Sequence, residues 1–390
     1  MDQAAMTRPT WLEVDLGAIC ANASAIMAHA GAREMIAVLK ADGYGHGAVP
    51  VARHLHHATG VGRFAVATVD EGVALRTGLA DLDGGRSEIL LLGAQDVSMV
   101  PVLVAHDLSA VVDGPAWLDA AEGLLREGDT LGVHLELDTG MGRVGVSDCD
   151  ALAGLYERVQ ANPRLVLRGV ATHFATADVA VADAVFTRQA RAFVECLERL
   201  RIPRHLWHCA NSPACVWHAG EVPTEVIRVG NALFGYDLSD LTDVPDGLHL
   251  FPTFELKTRV ASVRCVRAGD SVSYGATWTA AANRWVGTLP IGYADGFRRA
   301  FQGMNVLVNG EFQEIVGRIS MDQTLVTLPG PVPVGTPVTL IGRQGRRAVS
   351  LAEVAARAGV IGAEIVLGLI PRVYRTYRGG STAADPPECV

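Results

Sequence analysis

Several common features are missing from this sequence, and each absence excludes a class of protein. The seven cysteines are scattered and form no C-x-x-C pair, which argues against a disulfide framework or a structural zinc site. We therefore expect free, mostly buried thiols in a reducing compartment. No stretch approaches the roughly 18 uninterrupted apolar residues of a membrane-spanning helix, and the N-terminus lacks the apolar segment of a signal peptide. These absences predict a soluble, cytoplasmic protein without a membrane partner.

Positive charge is also scarce. The 33 lysine and arginine residues are outnumbered by 42 aspartate and glutamate residues, which gives a net charge of −9. This balance argues against nucleic acid as a partner and favours a small molecule. Hydrophobic residues make up 49% of the 390 positions, so the chain can form a large core, and its length suits two domains.

The order of apolar segments predicts an α/β fold for the first domain. Short strand-like segments, mostly separated by amphipathic helical segments, occur at residues 35–39, 64–68, 88–92, 108–112, 133–137, 167–173, 206–211 and 226–229. This alternation favours an N-terminal (β/α)8 TIM-type barrel over residues 10–250, although a doubly wound open sheet would give a similar local pattern.

A different pattern begins near residue 252. Alternating and β-branched segments, with Asn309-Gly310 as a type I′ hairpin signal, predict a C-terminal mostly β domain over residues 251–380. Ser350 and Glu353 predict the start of one helix within it. The first strand, at residues 10–14, can be assigned to either domain, and residues 1–9 and 381–390 are expected to be flexible tails.

Polar residues follow the predicted barrel strands at their C-terminal ends, where a barrel of this type places its chemistry. They are Lys40, Glu136, Asp138, Thr172, His173, His208, Asn211, Ser212, Arg228, Gly230 and Asn231. An apolar run stops at Lys40, and three glycines follow within a few residues. A partly desolvated amine beside glycines, which permit close backbone approach, is a candidate Schiff-base nucleophile. Lys40 alone could equally be a strand-terminal lysine that reaches water before an ordinary turn.

Several peptides together resemble the alanine racemase family. They occur in order at residues 40–47 (KADGYGHG), 137–143 (LDTGMGR), 172–178 (THFATAD), 211–212 (NS), 228–230 (RVG), 273–275 (SYG), 292–296 (GYADG) and 317–322 (GRISMD). The resemblance runs from about residue 10 to residue 378. It implies an enzyme that uses pyridoxal 5′-phosphate (PLP), with a barrel and a β domain in each protomer. It also implies a head-to-tail homodimer whose active sites are shared between the two chains.

The resemblance assigns the catalytic pair. Lys40 would hold PLP and move the α-proton on one face of the amino acid, and Tyr274 of the second subunit would act on the opposite face. Two groups are required because inversion at a planar carbon needs a proton donor on the face opposite the acceptor. Both side chains have an unperturbed pKa near ~10, so each must be lowered by its neighbours. His173 and Arg228 resemble the residues that supply this environment.

The resemblance also assigns residues to the cofactor and the substrate. Arg228 would face the pyridine nitrogen, and its permanent charge would disfavour protonation there. The family implies that Tyr44, Ser212 and the backbone N–H groups of Gly230 and Asn231 hold the phosphate, and that Arg143 bonds the phenolic oxygen. Asn211 is a further cofactor-binding residue implied by the family. Arg143, together with Tyr293 and Met321 of the second subunit, would bind the substrate carboxylate and line the entry. No metal ligand is implied, and His54, His56 and His57 are interpreted as a solvated helix face.

Two positions depart from the family pattern. Glu136 stands where many members have a lysine that becomes carbamylated, and we hypothesise that its carboxylate supplies the same negative charge beside Arg143. Ala363 stands where a tyrosine usually precedes the glutamate, and its small size predicts a wider substrate range that includes serine or a larger amino acid.

The sequence thus predicts a racemase that interconverts L- and D-alanine and supplies D-alanine for cell-wall peptidoglycan. A sister racemase for serine or a larger amino acid in a specialised pathway is the alternative. A non-catalytic PLP-binding protein would share the barrel but lack the β domain, so Tyr274 and Met321 argue against it. An enzyme similar to D-threonine aldolase would need a divalent metal, for which the C-terminal half shows no convincing ligand set.

Overall fold

The computed structural model describes residues 6–82, 87–179, 184–236, 245 and 247–379. The chain divides into two compact units, one of Ile19–Phe251 and the other of Met1–Ala18 together with Pro252–Val390. Most residues of the two predicted tails, namely 1–5 and 381–390, lie outside the described residues.

The strands and helices are numbered in chain order. The strands are β1 Thr10–Asp15, β2 Glu34–Val38, β3 Arg63–Val66, β4 Glu88–Leu91, β5 Leu108–Val112, β6 Leu131–Glu136, β7 Leu165–Ala171, β8 Trp207–His208, β9 Val226–Val229, β10 Phe254–Arg259, β11 Ser262–Val266, β12 Ser271–Val272, β13 Trp278–Thr279, β14 Arg284–Leu289, β15 Asn305–Val308, β16 Glu311–Val316, β17 Thr324–Leu328, β18 Pro337–Gln344, β19 Arg347–Val349 and β20 Tyr374–Arg378. The α-helices are α1 Leu16–Ala30, α2 Lys40–Tyr44, α3 Ala48–Thr59, α4 Val69–Leu79, α5 Val100–Ala105, α6 Pro115–Leu124, α7 Cys149–Ala161, α8 Ala184–Arg199, α9 Ser212–Trp217, α10 Leu351–Ala358 and α11 Gly362–Leu367.

The Ile19–Phe251 unit is a nearly closed barrel of eight parallel strands with helices between them. Its strands follow the order β8-β7-β6-β5-β4-β3-β2-β9, so the first barrel strand, β2, pairs with the last, β9. Between β8 and β9 the backbone N–H of Arg228 donates to the carbonyl of Ala210 at 2.9 Å. The predicted barrel is therefore confirmed, and an open doubly wound sheet is excluded because the first and last strands of such a sheet do not pair.

The barrel strands form where apolar side chains can be buried on both faces, as expected for a parallel sheet covered by helices. One cluster in the core draws side chains from five strands: Ile36, Val38, Ala65, Leu90, Val111 and Val226. Burial of each large aliphatic side chain stabilises the fold by about 1.5–3 kcal/mol. This packing holds the C-terminal strand ends, and the side chains that follow them, in fixed positions.

The second unit is mostly β. Its main sheet follows the order β11-β14-β17-β16-β15-β18-β10-β1-β20, with β1 antiparallel to β10 and parallel to β20. The predicted type I′ hairpin is confirmed, since Asn309 and Gly310 have φ angles of 50° and 77° between β15 and β16. The predicted cap is also present, because the Ser350 hydroxyl accepts the backbone N–H of Glu353 at 3.1 Å at the start of α10.

One expectation from the sequence is wrong. Cys149 and Cys196 form a disulfide whose Cα atoms are 5.5 Å apart, so these two cysteines are not free thiols. The sequence could not show this pairing because the partners are 47 positions apart and only the packing of α7 near α8 brings them together. Among the other cysteines in the described residues, Cys20, Cys209 and Cys215 are buried and Cys265 is exposed.

No helix within the described residues is both long and apolar enough to cross a membrane. His54, His56 and His57 lie on α3, where none is fully buried. In the same described parts of the chain, no group of three His, Cys, Asp or Glu side chains is placed to hold a metal ion.

Candidate active site

Lys40 is positioned by a left-handed turn at the end of β2. The φ angles of Ala41, Asp42, Gly43 and Tyr44 are 52°, 53°, 62° and 54°. Left-handed backbone costs non-glycine residues roughly 1–2 kcal/mol each, so the turn must be held by its surroundings. Carboxylates supply that support: Glu71 accepts the N–H of Ala41 at 2.7 Å and Asp42 accepts the N–H of Ala48 at 2.8 Å.

The amine of Lys40 has a lowered pKa. Burial is the main cause, and the positive charge of Arg143 adds to it, while the Glu71 carboxylate acts in the opposite direction. The predicted lowering is confirmed for Lys40, but the neighbouring charge responsible is that of Arg143 rather than that of Arg228. A larger fraction of this amine is therefore neutral and able to accept a proton or attack a carbonyl than in water.

Arg228, on β9, is 6% exposed and donates to acceptors on two sides. One terminal nitrogen donates to Nδ1 of His208 at 2.8 Å, and the other donates to Nδ1 of His173 at 2.9 Å and to the carbonyl of Thr172 at 2.9 Å. Burial, followed by the charge of Arg228, lowers the pKa of His173 to about 3, so this imidazole is neutral and can accept. Among the described residues, the Nε–H of Arg228 is left without a hydrogen-bond partner.

A polar corner lies beside Gly230. A Cβ at this position would be 2.4 Å from the hydroxyl oxygen of Tyr44, so only glycine lets that hydroxyl approach the backbone. Ser212 Oγ accepts the N–H groups of Gly230 and Ala232 at 3.1 and 3.4 Å, and a 3-10 turn begins at Asn231. Burial raises the pKa of Tyr44 to about 12, so its hydroxyl is a neutral donor.

Asn211, predicted to bind the cofactor, makes two hydrogen bonds within the protein. Its side-chain oxygen accepts the N–H of Ala214 at 3.1 Å and caps α9, while its nitrogen donates to the carbonyl of Phe174 at 3.4 Å. Asn211 therefore supports Ser212, the first residue of α9, within this corner.

Arg143 lies on an exposed loop that Asp138 organises. One carboxylate oxygen of Asp138 accepts the backbone N–H groups of Gly140, Met141 and Gly142 at 2.9, 2.8 and 3.0 Å. Burial alone would raise the pKa of Asp138, but these N–H donors lower it, so the carboxylate is charged. The loop that carries Arg143 is thus fastened to the end of β6.

Glu136, the last residue of β6, makes no side-chain hydrogen bond or ion pair with any described residue. Burial raises the pKa of Glu136, although the charges of Arg228 and Arg143 act in the opposite direction. Glu136 thus interacts electrostatically with Arg143, as the hypothesis of a supplied charge requires, but makes no direct hydrogen bond or ion pair with it in the described residues. The described residues support an electrostatic interaction of Glu136 with Arg143 and Arg228, without a hydrogen bond.

Three further candidates belong to the β unit. Tyr274, Tyr293 and Met321 are 71%, 44% and 53% exposed. Backbone hydrogen bonds place the loops of the latter two side by side, since the N–H of Tyr293 donates to Ser320 at 3.1 Å and that of Ala294 donates to Met321 at 2.9 Å.

Tyr274 lies on a turn that follows β12. β12 ends at Val272, and Ser273 and Ala276 have φ angles of 63° and 46°. The hydroxyl of Ser273 donates to the carbonyl of Arg318, which fastens this turn to the segment that leads to Met321. The fourth candidate of this unit, Ala363, lies in α11 and is 6% exposed.

The sequence missed Glu71 and the buried His134. Glu71 had a local signal, because Thr68 and Glu71 form the reciprocal capping box that starts α4. His134 had none, since a lone histidine in an apolar strand is usually a core residue with satisfied hydrogen bonds.

Comparison with known proteins places both units in one family. The family model described as "Alanine racemase, N-terminal domain" matches residues 14–238, and "Alanine racemase, C-terminal domain" matches residues 253–377. The alanine racemase of Lactiplantibacillus plantarum is 42% identical over 376 residues, which cover 95% of this chain and 98% of that protein.

Solved structures agree with the sequence comparison. The crystal structure of alanine racemase from E. faecalis superposes with a TM-score of 0.87 at 37% identity, covering 95% of this chain and 98% of that one. A histidine racemase from Leuconostoc mesenteroides superposes with a TM-score of 0.86 at 30% identity, with coverages of 95% and 98%. This fold therefore carries racemases of more than one amino acid.

Proposed function

The chain belongs to the alanine racemase family, and from this premise we propose that it interconverts L- and D-alanine with PLP as its cofactor. The observation that carries the proposal is the Lys40 amine, whose pKa is lowered at the C-terminal end of the barrel. Its polar neighbours are of the kinds that such a cofactor requires.

The residues of the barrel unit fit PLP. Lys40 offers an amine for the cofactor aldehyde, and the hydroxyl groups of Tyr44 and Ser212 beside Gly230 offer donors for a phosphate. The close approach of the Tyr44 hydroxyl to the Gly230 backbone, which a Cβ would prevent, is the geometric sign of this fit. Arg228 has one N–H group left over and would face the ring nitrogen with it.

In this proposal PLP, when bound, supplies a ring that accepts electron density from the substrate Cα as the proton leaves. Lys40 then accepts or donates that proton at Nζ on one face, for which its lowered pKa prepares it. Tyr274 of a second copy serves the opposite face. Arg228 keeps its own proton and disfavours protonation of the ring nitrogen, and Arg143 binds the substrate carboxylate.

A cytoplasmic homodimer with shared sites is part of the same proposal. The exposed side chains of Tyr274, Tyr293 and Met321 support it, because neighbouring exposed aromatic and apolar side chains are typical of an interface. The D-alanine that it forms is expected to supply cell-wall peptidoglycan.

The direct test follows loss of optical activity with L-alanine, L-serine and several larger L-amino acids. Fast racemisation of alanine supports the proposal, and no racemisation of any amino acid by the PLP-loaded protein contradicts it. Shared sites are tested by mixing two inactive variants, Lys40→Ala and Tyr274→Phe. In a shared-site dimer the mixed pair rebuilds one intact site, so roughly a quarter of wild-type activity should return after random exchange. No recovery would contradict shared sites.

A racemase for serine or a larger amino acid is the second candidate. Ala363 favours it because a methyl group occupies the position at which the family resemblance implies a tyrosine. A similar structure is that of a histidine racemase, so this fold accommodates other substrates. The test is Ala363→Tyr. We expect this variant to lose activity on larger amino acids more than on alanine, and unchanged relative rates would contradict the wider substrate range.

A further inference from the structure

A continuous line of hydrogen bonds crosses the barrel behind the candidate site. Arg228 donates from one terminal nitrogen to Nδ1 of His208 at 2.8 Å. Nε2 of His208 contacts Nδ1 of His134 at 2.8 Å, and Nε2 of His134 contacts a carboxylate oxygen of Glu88 at 2.8 Å. The two histidines are 1% and 0% exposed.

The chemistry of the two ends fixes the direction of every bond in this line. An arginine side chain can only donate, so Nδ1 of His208 must accept and the ring must carry its proton on Nε2. That proton is donated to Nδ1 of His134, whose own proton is therefore on Nε2 and is donated to Glu88. Each ring thus has one proton and is neutral, in agreement with burial lowering the pKa of both histidines.

The backbone is shaped to admit the two rings. A Cβ on Gly169 of β7 would lie 2.5 Å from Nε2 of His208 and 2.6 Å from Nδ1 of His134, so a side chain there would occupy the point at which the rings meet. The pairing of β6 with β7 also shifts register between Val133 and His134. A bulge of this kind redirects a side chain. Here the redirected side chain is that of His134, which bridges His208 and Glu88.

The far end of the line is an ion-pair cluster at the N-terminal ends of three barrel strands. Glu88 begins β4, and its second carboxylate oxygen accepts Nε of Arg63, the first residue of β3, at 3.0 Å. Arg63 also donates to Glu34, the first residue of β2, at 3.1 Å. Glu34 is 56% exposed and does not touch His134, whereas Glu88 is 18% exposed.

We propose that Glu88 is a positioning residue that acts on Arg228 through His134 and His208. Glu88 accepts the hydrogen bond from Nε2–H of His134, so Nδ1 of His134 must accept from His208. Nδ1 of His208 is then an acceptor that faces Arg228, and this hydrogen bond holds the guanidinium in place at the cofactor site. If the line were reversed, His208 would present an N–H to an arginine N–H, and Arg228 would lose this anchor. The inference rests on the proposed function for its catalytic consequence only.

The variant Glu88→Gln should reverse the line. Arg63 donates to both oxygens of Glu88, from Nε to one at 3.0 Å and from a terminal nitrogen at 3.3 Å to the one that faces His134. We expect the shorter bond at Nε to hold the single amide oxygen of the variant. The amide nitrogen then faces Nε2 of His134, and that atom must accept. The matched control is Glu34→Gln, which changes a partner of the same arginine but leaves His134 untouched.

The first measurement is the tautomer of His134 and His208, read from imidazole nitrogen chemical shifts in the full chain without cofactor. We expect both rings to carry the proton on Nε2 in the wild type and in Glu34→Gln, and on Nδ1 in Glu88→Gln. An Nδ1 proton on either ring of the wild-type protein overturns the proposal without any variant being made.

The second measurement is the racemisation rate of the PLP-loaded variants. Glu88→Gln should lower kcat about 10-fold to 100-fold, as loss of an outer hydrogen-bond partner commonly does, while Glu34→Gln stays within about twofold of wild type. Equal rates in the two variants overturn the positioning role. If the wild type racemises nothing but shows the expected tautomers, the proposed function fails while the hydrogen-bond line stands.

Discussion

Individual residues set the proton chemistry of the candidate site through burial more than through ion pairing. Burial is the first cause of the lowered pKa of Lys40 and of His173 and of the raised pKa of Tyr44. Burial also raises the pKa of Glu136, but the charges of Arg228 and Arg143 oppose that shift. His173 and Tyr44 are therefore neutral beside the two arginines, and the Lys40 amine is neutral in a larger fraction than in water.

Gly230 offers the sharpest test of the cofactor corner at the residue scale. In Gly230→Ala the new Cβ would lie 2.4 Å from the hydroxyl oxygen of Tyr44, so this hydroxyl must move away. We expect PLP affinity to fall by about 10-fold to 100-fold, measured by absorbance titration. The control is Gly154→Ala in α7, where no atom lies within 4 Å of an added Cβ. Unchanged PLP affinity in Gly230→Ala would contradict the proposal that the polar corner beside Gly230 binds the phosphate of PLP.

Glu136 tests whether a charge without a hydrogen bond can hold Arg143. In Glu136→Gln the shape of the side chain is kept and only the negative charge facing Arg143 and Arg228 is removed. An interaction of this kind contributes about 1 kcal/mol, so we expect KM for alanine to rise by roughly fivefold with a smaller change in kcat. The matched control is Glu157→Gln on the exposed face of α7. Wild-type kinetics in Glu136→Gln would contradict the hypothesis.

At the scale of elements, the disulfide between α7 and α8 should stabilise the barrel unit. It closes a segment of 47 positions, and the loss of chain entropy in the unfolded state corresponds to about 4 kcal/mol. The double variant Cys149→Ser, Cys196→Ser should therefore unfold at a lower urea concentration than the oxidised wild type. Under a strong reductant the two proteins should unfold alike. A midpoint that does not respond to reductant in the wild type would show that this bond contributes nothing.

The sequence predicted the barrel strands well because their apolar runs are short and sharply bounded. The predicted strands at 108–112 and 226–229 agree with β5 and β9 at both ends. Between such strands the prediction was weaker. Residues 206–211 were expected as one strand, but only Trp207 and His208 are extended in the sheet, since the following segment bends to bring Asn211 and Ser212 to the site.

Features that depend on distant partners could not be predicted. The glycines after Lys40 signalled a turn, but Ala41, Asp42 and Tyr44 also adopt left-handed backbone, which no local signal indicates. The hydrogen bond from the N–H of Ala41 to Glu71, which belongs to another strand–helix repeat, supports that conformation. Likewise, His134 and His208 are 74 positions apart, and only closure of the barrel brings their rings together.

At the scale of the whole molecule, the buried neutral histidines make stability depend on pH. His134, His173 and His208 each have a pKa lowered from 6.5 by burial, to about 3 for His173. Below pH 6.5 these histidines bind protons in the unfolded chain but not in the folded chain, so the free energy of unfolding falls as pH falls. Each such histidine contributes a slope of about 1.4 kcal/mol per pH unit, and the three together up to about 4.

Urea unfolding of the cofactor-free protein at fixed concentration, between pH 8 and pH 4.5, measures this slope. We expect a flat midpoint above pH 7 and a steep decline below pH 6. His173→Gln should reduce the slope of the unfolding free energy against pH by about one proton, or about 1.4 kcal/mol per pH unit. His205→Gln, which changes an exposed histidine, should leave this slope unchanged. Glu88 causes a further loss of stability at lower pH. Its pKa is lowered from 4.5 to about 2, so its contribution to the free energy of unfolding disappears as pH falls from 4.5 toward 2. A midpoint that stays constant down to pH 5 would mean that these histidines are protonated in the folded state, and the neutral rings required between Arg228 and Glu88 would be excluded as well.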